Sequence, residues 1–298
     1  MNVKNKKILV TGGSGFIGSN LIKRLVGLQA NVDNFDLSVG LNILDSKQLT
    51  SYIKKKYDVV FHLAGFSGSV KSNKDQVNSF RINTLATINL CELICKFSKG
   101  TKLVISSSRL EYGKPQYLPV NENHPTVPSS AYGLSKLVAT QMAQNYHKRN
   151  NLDVTIFRTS NVYGPHPSKK FASYNIINHF IDLAKIGGTS TIFGDGNQER
   201  DYLYVDDLIE AFLLAIDKKA AGQIYNLGFG KGIKFKEMVE LIIKLVGSGT
   251  VKYVTWPKAY QQVETGSYVT DISKIKKELG FVPKVSFEEG IAKTIGGR

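Results

Sequence analysis

Two residues in the stretch "SSAYGLSK" (129–136) have the types and the spacing for acid–base chemistry. Tyr132 and Lys136 are four positions apart, so a helix would place them one turn apart on the same face. A phenol with a pKa of about 10 is a poor base, but a neighbouring positive charge favours its phenolate form. The pair predicts a proton-transfer site, although the same spacing also occurs on solvent-exposed helix faces.

The segments around this pair alternate between apolar, β-branched runs and amphipathic helical patterns. The runs include "KILVTG", "DVVFHLAG", "KLVISSS" and "DVTIFRTS", and helical patterns such as "IGSNLIKRLVG" lie between them. This alternation predicts βαβ units and a parallel sheet with helices on both faces. After about residue 164 the rhythm loosens, and we expect a smaller α/β substrate-binding region at 165–298, with "QIYNLG" returning to the main sheet.

A glycine-rich loop lies between the first predicted strand and the first predicted helix. In "ILVTGGSGFIG", Gly12, Gly15 and Gly18 follow the strand and open the helix. Glycines in this context permit a tight turn and the close approach of a pyrophosphate to the free N–H groups of the helix N-terminus. The loop, with its residues Phe16 and Ile17, therefore predicts a Rossmann-type dinucleotide-binding domain at 1–164.

The residue expected to bind the adenosine ribose is Asp36, which lies 18 residues beyond Gly18. A carboxylate there accepts both ribose hydroxyls of NAD and repels the 2′-phosphate of NADP. The first basic residue downstream is Lys47, so we predict NAD as the cofactor. Asp33 is an alternative for the carboxylate. Adenine contacts are expected from Asn42 and Ile43, whose alternative is a surface turn.

Composition excludes several other classes of protein. Of the 298 residues, 42% are hydrophobic and 21% charged, which is typical of a globular protein rather than a disordered one. No apolar run approaches the roughly 20 residues of a membrane span, and the N-terminus runs directly into a strand pattern, so we expect a cytoplasmic protein. The net charge of +15 is spread over scattered lysines without a basic helix, so we expect no nucleic-acid partner. The cysteines and histidines show no metal-ligand spacing, and no metal site is expected.

The ordered motifs together resemble those of the extended short-chain dehydrogenase/reductases that act on nucleotide sugars. The matching stretches cover nearly the whole chain: "TGGSGFIG", "FHLAG", "SSSRLEYG", "YGLSK", "RTSNVYGP", "FGDGNQERDYLYVDDL" and "DISKIKKELGFVPKVSFEEGI". The resemblance implies that Tyr132 is the acid/base and that Lys136 lowers its pKa and bonds the nicotinamide ribose. Ser108 takes the position that hydrogen-bonds the reacting oxygen, with Ser106 and Ser107 as neighbours. Further cofactor-site residues are implied at Leu63, Ala64, Gly65 and Asn83.

The resemblance also implies a set of substrate contacts. Arg200 would clamp the nucleotide diphosphate, unless it forms only a local ion pair with its neighbour Asp201. Glu264 lies where the family often has a residue on the nucleotide ribose, and Gln261 lies where it often has an arginine on the phosphates. The remaining implied contacts are Asn161 and Asn175 near the sugar diphosphate and Tyr268, whose bulk would close the sugar pocket and disfavour N-acetylated sugars.

The family carries out several reactions, so the fold does not decide among them. Its 4,6-dehydratases have an Asp-Glu pair directly after the catalytic serine or threonine, whereas this chain has Arg109 and Leu110. Glu111 follows one position later, which on a strand faces the opposite side. We therefore predict an NAD-dependent 4-epimerase of the UDP-glucose/UDP-galactose type. The alternatives are an NAD(P)H-dependent reductase of a 4-keto nucleotide sugar and a redox-silent nucleotide-binding protein. A homodimer through the helix of Tyr132 is also expected from the family.

Overall fold

The computed structural model describes residues 3–166, 175–216 and 218–297 of the chain. Its helices are α1 (Phe16–Gly27), α2 (Ser46–Ile53), α3 (Ser69–Lys74), α4 (Gln76–Phe80), α5 (Ala86–Phe97), α6 (Ala131–Asn150), α7 (Ile176–Lys185), α8 (Val205–Leu214), α9 (Phe235–Val246), α10 (Lys258–Gln261), α11 (Ser273–Leu279) and α12 (Phe287–Gly296). Its strands are β1 (Lys7–Thr11), β2 (Asn31–Phe35), β3 (Val59–His62), β4 (Lys102–Ser108), β5 (Val154–Thr159), β6 (Asn161–Tyr163), β7 (Thr189–Phe193), β8 (Glu199–Tyr204), β9 (Ile224–Leu227), β10 (Gly232–Lys234) and β11 (Thr250–Val254).

A parallel six-stranded sheet forms the centre of the molecule, in the order β2-β1-β3-β4-β5-β9. The order reverses beside β1, so the sheet is doubly wound, and the predicted Rossmann-type α/β fold is confirmed. The last strand, β9, comes from the second half of the chain and contains part of "QIYNLG".

The two faces of this sheet bury separate hydrophobic clusters. Ile8 and Val10 of β1 belong to the cluster beneath α1 and α8, whereas Leu9 belongs to the cluster beneath α2, α5 and α6. Successive side chains of a strand point to opposite faces, so a sheet covered on both sides needs apolar residues at every position. This requirement explains the continuous apolar run "ILV" (8–10) in β1. Each fully buried side chain of this kind contributes about 1.5–3 kcal/mol.

The C-terminal region adds two smaller sheets. Strand β8 lies between β10 and β6, and β11 pairs with β7 in parallel. A third hydrophobic cluster packs α7, α9 and α12 against this region. The division at residue 164 remains a proposal, and residues 167–174, directly after it, lie outside the described part of the chain.

No helix in the described part of the chain is both long and apolar enough to cross a membrane.

Candidate active site

Helix α6 places Tyr132 in its first turn and Lys136 one turn later. The Ser130 hydroxyl caps the helix by accepting a hydrogen bond from Gly133 N at 3.2 Å. Gly133 is required here because a Cβ atom would lie 2.3 Å from Leu110 O, a backbone atom of the turn that follows β4. The close contact between this turn and the first turn of α6 brings Ser108 to Tyr132.

Ser108, Tyr132 and Lys136 meet at the carboxyl end of β4. Burial raises the pKa of Tyr132 to about 12, and its hydrogen bond with the Ser108 side chain opposes this rise. Burial lowers the pKa of Lys136 to about 8, opposed by the charge of Glu111. The ammonium donates to Ser106 O at 2.7 Å rather than to the phenol. The effect of Lys136 on the phenol therefore stays a prediction.

Of the three consecutive serines, Ser107 faces a different network. Its hydroxyl donates to the Glu111 carboxylate, which also accepts from Thr140 Oγ1 at 2.7 Å. The second carboxylate oxygen of Glu111 accepts from Arg158 Nε at 2.7 Å, and both side chains are buried. The assumption that Glu111 continues the strand was wrong, because β4 ends at Ser108 and residues Arg109–Glu111 form a 3-10 helix. The Glu111 charge is nevertheless directed into the protein.

The buried side chain of Asn83 connects the loop after β3 to helix α6. It lies in a π-helical turn (Arg81–Leu85) and is 1% exposed. Its amide accepts from Phe66 N at 2.8 Å and donates to Phe66 O and to Ser135 Oγ, at 3.1 and 3.0 Å. These bonds fix the loop after β3 against α6. A direct cofactor contact of Asn83 stays a prediction.

The glycine loop forms a cradle that side chains would fill. A Cβ at Gly12 would lie 2.6 Å from Ala64 N, and one at Gly18 would lie 2.3 Å from Gly12 O. Gly15 precedes α1, and no side chain caps the first N–H groups of that helix, which carry Phe16 and Ile17. An uncapped helix N-terminus without acidic residues in its first turn favours a phosphate. The cradle therefore fits the pyrophosphate of a dinucleotide.

Asp36 follows β2 and turns its carboxylate toward this loop. It accepts from Ser14 N at 3.2 Å and from Ser38 N at 2.8 Å. The alternative, Asp33, is occupied elsewhere, because its carboxylate pairs with Lys55 at 3.3 Å and accepts from Tyr57. Asp36 is thus the acidic residue beside the glycine loop.

The two predicted adenine contacts differ in position. Asn42 is exposed, and its side chain accepts from Leu44 N at 3.0 Å within the turn. Ile43 is 7% exposed and packs in the hydrophobic cluster with Phe35 and Leu49. The burial of Ile43 excludes the alternative of a surface turn for this residue, and its contact with adenine stays a prediction. Leu63, Ala64 and Gly65 form the loop after β3, beside Gly12, and their contacts with the cofactor stay a prediction.

On the substrate side, Arg200 forms its ion pair with Glu264 rather than with Asp201. Its guanidinium donates to Glu264 Oε1 at 2.6 Å and to Gly266 O at 2.7 Å. The Asp201 carboxylate is buried and accepts from the backbone of Phe229 and of Thr270, at 2.7 and 3.0 Å. The structure therefore brings together Arg200 and Glu264, both of which were predicted to contact substrate.

Arg109 joins this group from the catalytic side. It directly follows Ser108, is 7% exposed and donates to Thr265 Oγ1 at 3.2 Å. Its guanidinium lies over the ring of Tyr268, 4.9 Å from the centroid, and Tyr268 itself is fully buried. Burial and the nearby charge of Arg200 lower the pKa of Arg109 to about 10.

The two predicted asparagines make structural contacts. Asn161 begins β6 and donates to Asp201 O at 3.3 Å. Asn175 caps α7, because its Oδ1 accepts from Ile177 N at 3.0 Å while its Nδ2 donates to Val162 O at 3.0 Å. Both ends of the Asn175 amide are thus occupied within the protein, and a role in substrate binding stays a prediction for both residues. In the described ranges no group of three His, Cys, Asp or Glu residues could hold a metal ion.

Comparison with known proteins places this arrangement in a family. The sequence model of the NAD dependent epimerase/dehydratase family matches residues 8–228, which is most of the chain. The chain belongs to this family. A putative UDP-glucose 4-epimerase of Methanocaldococcus jannaschii is 34% identical over 97% of both chains. Relatives with other activities also match, among them a dTDP-glucose 4,6-dehydratase of Streptomyces griseus, which is 29% identical over 97% of this chain and 92% of its own.

Solved structures of the family share the fold throughout. The UDP-glucose 4-epimerase of Thermotoga maritima with UDP-glucose is 30% identical, covers 98% of both chains and has a TM-score of 0.89. The UDP-glucose 4-epimerase of Thermus thermophilus in complex with NAD is 27% identical over 98% of both chains, with a TM-score of 0.88. The family depends on NAD, so NAD is the cofactor here, and the glycine cradle with Asp36 fits it.

Sequence reasoning missed two features of this family member. Arg109 was noted only as a departure from the dehydratase pattern, although a basic residue beside the catalytic serine could have suggested an anion contact. The buried pair of Glu111 and Arg158 was missed because its partners are 47 residues apart and no local spacing relates them.

Proposed function

We propose that this protein is an NAD-dependent nucleotide-sugar 4-epimerase of the UDP-glucose/UDP-galactose type. The observation that carries the proposal is the meeting of Ser108 and Tyr132 above a dinucleotide cradle, with Arg109 and Leu110 where a dehydratase needs two acids. An epimerase needs one acid/base group at C4, a hydride carrier and an anchor about which the sugar can turn.

The protein groups act on the C4 oxygen. Tyr132 accepts the hydroxyl proton as the carbonyl forms and returns a proton to the oxygen when the alcohol is restored. Ser108 holds the oxygen by a hydrogen bond, and the buried ammonium of Lys136 supplies positive charge on the same helix face. When bound, NAD would supply the hydride acceptor and donor for C4, and its positive charge would favour the Tyr132 phenolate.

The surroundings of Glu111 argue against dehydration. Removing the C5 proton requires a free carboxylate, but both oxygens of Glu111 accept hydrogen bonds inside the protein. The Arg158 guanidinium pairs with this carboxylate at 2.7 Å, so Glu111 is held in a structural contact away from the substrate. Oxidation at C4 followed by hydride return needs no further acid, so epimerisation uses the groups that are present.

The substrate is proposed to be a UDP-hexose. Arg200 has the planar fork that suits a diphosphate, and an anchor there lets the 4-keto sugar rotate before the hydride returns. The Thermotoga maritima relative was solved with UDP-glucose. Tyr268 is fully buried at the end of the segment that Arg200 contacts, and we propose that its bulk disfavours N-acetylated sugars.

The deciding experiment is NMR of the purified protein with UDP-glucose, UDP-galactose, their N-acetyl forms and UDP-glucuronic acid, without added reduced cofactor. Appearance of the C4 epimer of UDP-glucose supports the proposal. Turnover of a 4-keto nucleotide sugar only when NADH or NADPH is supplied would make the protein a reductase. Loss of the C6 carboxylate from UDP-glucuronic acid would make it a decarboxylase. Efficient turnover of UDP-N-acetylglucosamine would refute the proposed role of Tyr268.

We also propose that the protein is a homodimer through α4, α5 and α6. Three large apolar side chains are exposed there: Val77 on α4 at 73%, Leu85 in the turn before α5 at 56% and Leu134 on α6 at 43%. Apolar groups gathered on one surface favour association. Sedimentation equilibrium should give twice the chain mass, and Val77→Lys with Leu85→Lys should give the monomer.

A further inference from the structure

Arg109 carries a buried charge that its protein contacts do not neutralise. The residue is only 7% exposed to solvent. Among the described residues it makes one hydrogen bond, to the neutral hydroxyl of Thr265, and no ion pair. A guanidinium has five N–H donors in a planar fork, so most of its donors have no protein acceptor. Burying an unpaired charge is costly, which points to an anion that is part of the bound complex.

Arg109 and Arg200 both donate hydrogen bonds to one short segment of the chain, residues 264–266. Arg109 donates to Thr265, while Arg200 donates to the flanking residues Glu264 and Gly266. The two guanidiniums are close enough for the charge of Arg200 to lower the pKa of Arg109. The two guanidiniums thus have one carboxylate near them, that of Glu264. The three side chains together carry a net positive charge.

The buried tyrosine Tyr202 lies near the two arginines. It lies on β8 two residues after Arg200, is 3% exposed, and its hydroxyl has no hydrogen-bond partner among the described residues. The positive charges of Arg109 and Arg200 both act on this phenol. A buried hydroxyl without a partner is uncommon in folded proteins, so it indicates an acceptor or donor supplied by a ligand.

Resting on the function proposed above, we infer that Arg109 and Arg200 together bind the diphosphate of the nucleotide sugar, with Arg109 as the guanidinium nearer to the sugar. Arg109 directly follows Ser108, and its guanidinium reaches Thr265, the residue between the two contacts of Arg200. Two guanidinium forks match two phosphate groups. Gln261, where a second phosphate arginine was expected, is uncharged and exposed on α10, and Arg109 takes over this role from the catalytic turn.

The test compares Arg109→Gln and Arg109→Lys with wild type, using Arg24→Gln as the matched control. Arg24 is an exposed arginine whose ion pair with Glu210 lies away from this site. Calorimetry would measure binding of UDP, UDP-glucose and UDP-glucuronic acid, and NMR titration would measure uridine. We expect Arg109→Gln to weaken all three diphosphates about 10- to 100-fold and equally, with uridine unchanged. Arg109→Lys should lose less, and Arg24→Gln should match wild type.

Several outcomes would overturn the inference. Unchanged UDP affinity in Arg109→Gln would show that the diphosphate is bound without Arg109. A loss confined to UDP-glucuronic acid would assign Arg109 to a carboxylate on the sugar. An equal loss for uridine would show that Arg109 only supports the pocket. If wild type binds neither UDP nor UDP-glucose, the proposed function itself fails, which is distinct from an unaffected variant of a protein that binds both.

Discussion

The two carboxylates of the site, Glu111 at the end near Ser108 and Glu264 at the end near Arg200, differ in the positive charges around them. At the first, Glu111 is neutralised by Arg158 at 2.7 Å, and its remaining contacts are hydroxyls of the protein. At the second, Glu264 is shared between Arg200 and Arg109, and positive charge remains. A charge that the protein neutralises holds structure in place, whereas a charge left in excess prepares a site for a ligand.

The largest expected effect is at the first end. Tyr132→Phe removes the proton acceptor and should lower kcat about 10²- to 10⁴-fold, because general acid–base catalysis typically contributes that much. Affinity for UDP should not change, since the proposed mechanism places the phenol at the C4 oxygen of the sugar, which UDP lacks. Tyr117→Phe is the control, because Tyr117 is an exposed tyrosine with one hydrogen bond, to Asn121. A Tyr132→Phe protein with wild-type kcat would remove Tyr132 from the mechanism.

Replacing Arg158 and Arg200 one at a time should distinguish an arginine that stabilises the fold from an arginine that binds substrate. Arg158→Met leaves the fully buried Glu111 carboxylate without its cation and should lower the free energy of unfolding by about 3–5 kcal/mol. Arg200→Met should lose less stability, because Glu264 is 24% exposed and can be hydrated, but it should bind UDP more weakly. Urea denaturation and calorimetry would measure the two effects. Equal losses of stability would contradict the contrast drawn between the two ends.

The glycine cradle gives a smaller effect with a control in the same helix. Gly18→Ala places a Cβ 2.3 Å from Gly12 O and should destabilise the protein by about 1–3 kcal/mol while lowering its NAD content. Gly27→Ala meets no atom within 4 Å at the end of α1 and should be neutral or stabilising by up to about 1 kcal/mol. Thermal unfolding and the absorbance of released NAD would check both. Equal behaviour of the variants would show that the cradle tolerates a side chain.

The smallest expected effect is a change in how stability depends on pH. Burial lowers the pKa of Lys136 from its usual 10.5 to about 8, so the folded protein binds fewer protons there than the unfolded chain between these values. Stability should therefore rise with pH in this window, by about 1–2 kcal/mol between pH 8 and pH 10. Lys136→Met should lose this rise, measured by urea denaturation of the cofactor-free protein. An identical slope in the variant would contradict the assignment.

The fold and the NAD cradle were predictable because their signals are local. The strand, glycine loop and helix of residues 7–27 are contiguous, and Tyr132 and Lys136 are related by the helical repeat alone. An error arose where the local pattern was extended too far. Glu111 lies in a 3-10 helix where a continued strand was assumed, and its charge pairs with Arg158, 47 residues away.

The sequence by itself determined the alternation of strands and helices, the dinucleotide loop with Asp36 and the Tyr132–Lys136 helix, since each depends on residues that are close together along the chain. Only the tertiary structure decided which charges are neutralised. Arg109 and Thr265 are 156 residues apart, and Arg200 and Glu264 are 64 apart, so no periodicity relates them. Burial strengthens charge interactions and removes the water that would screen them, and burial exists only once distant segments have packed together.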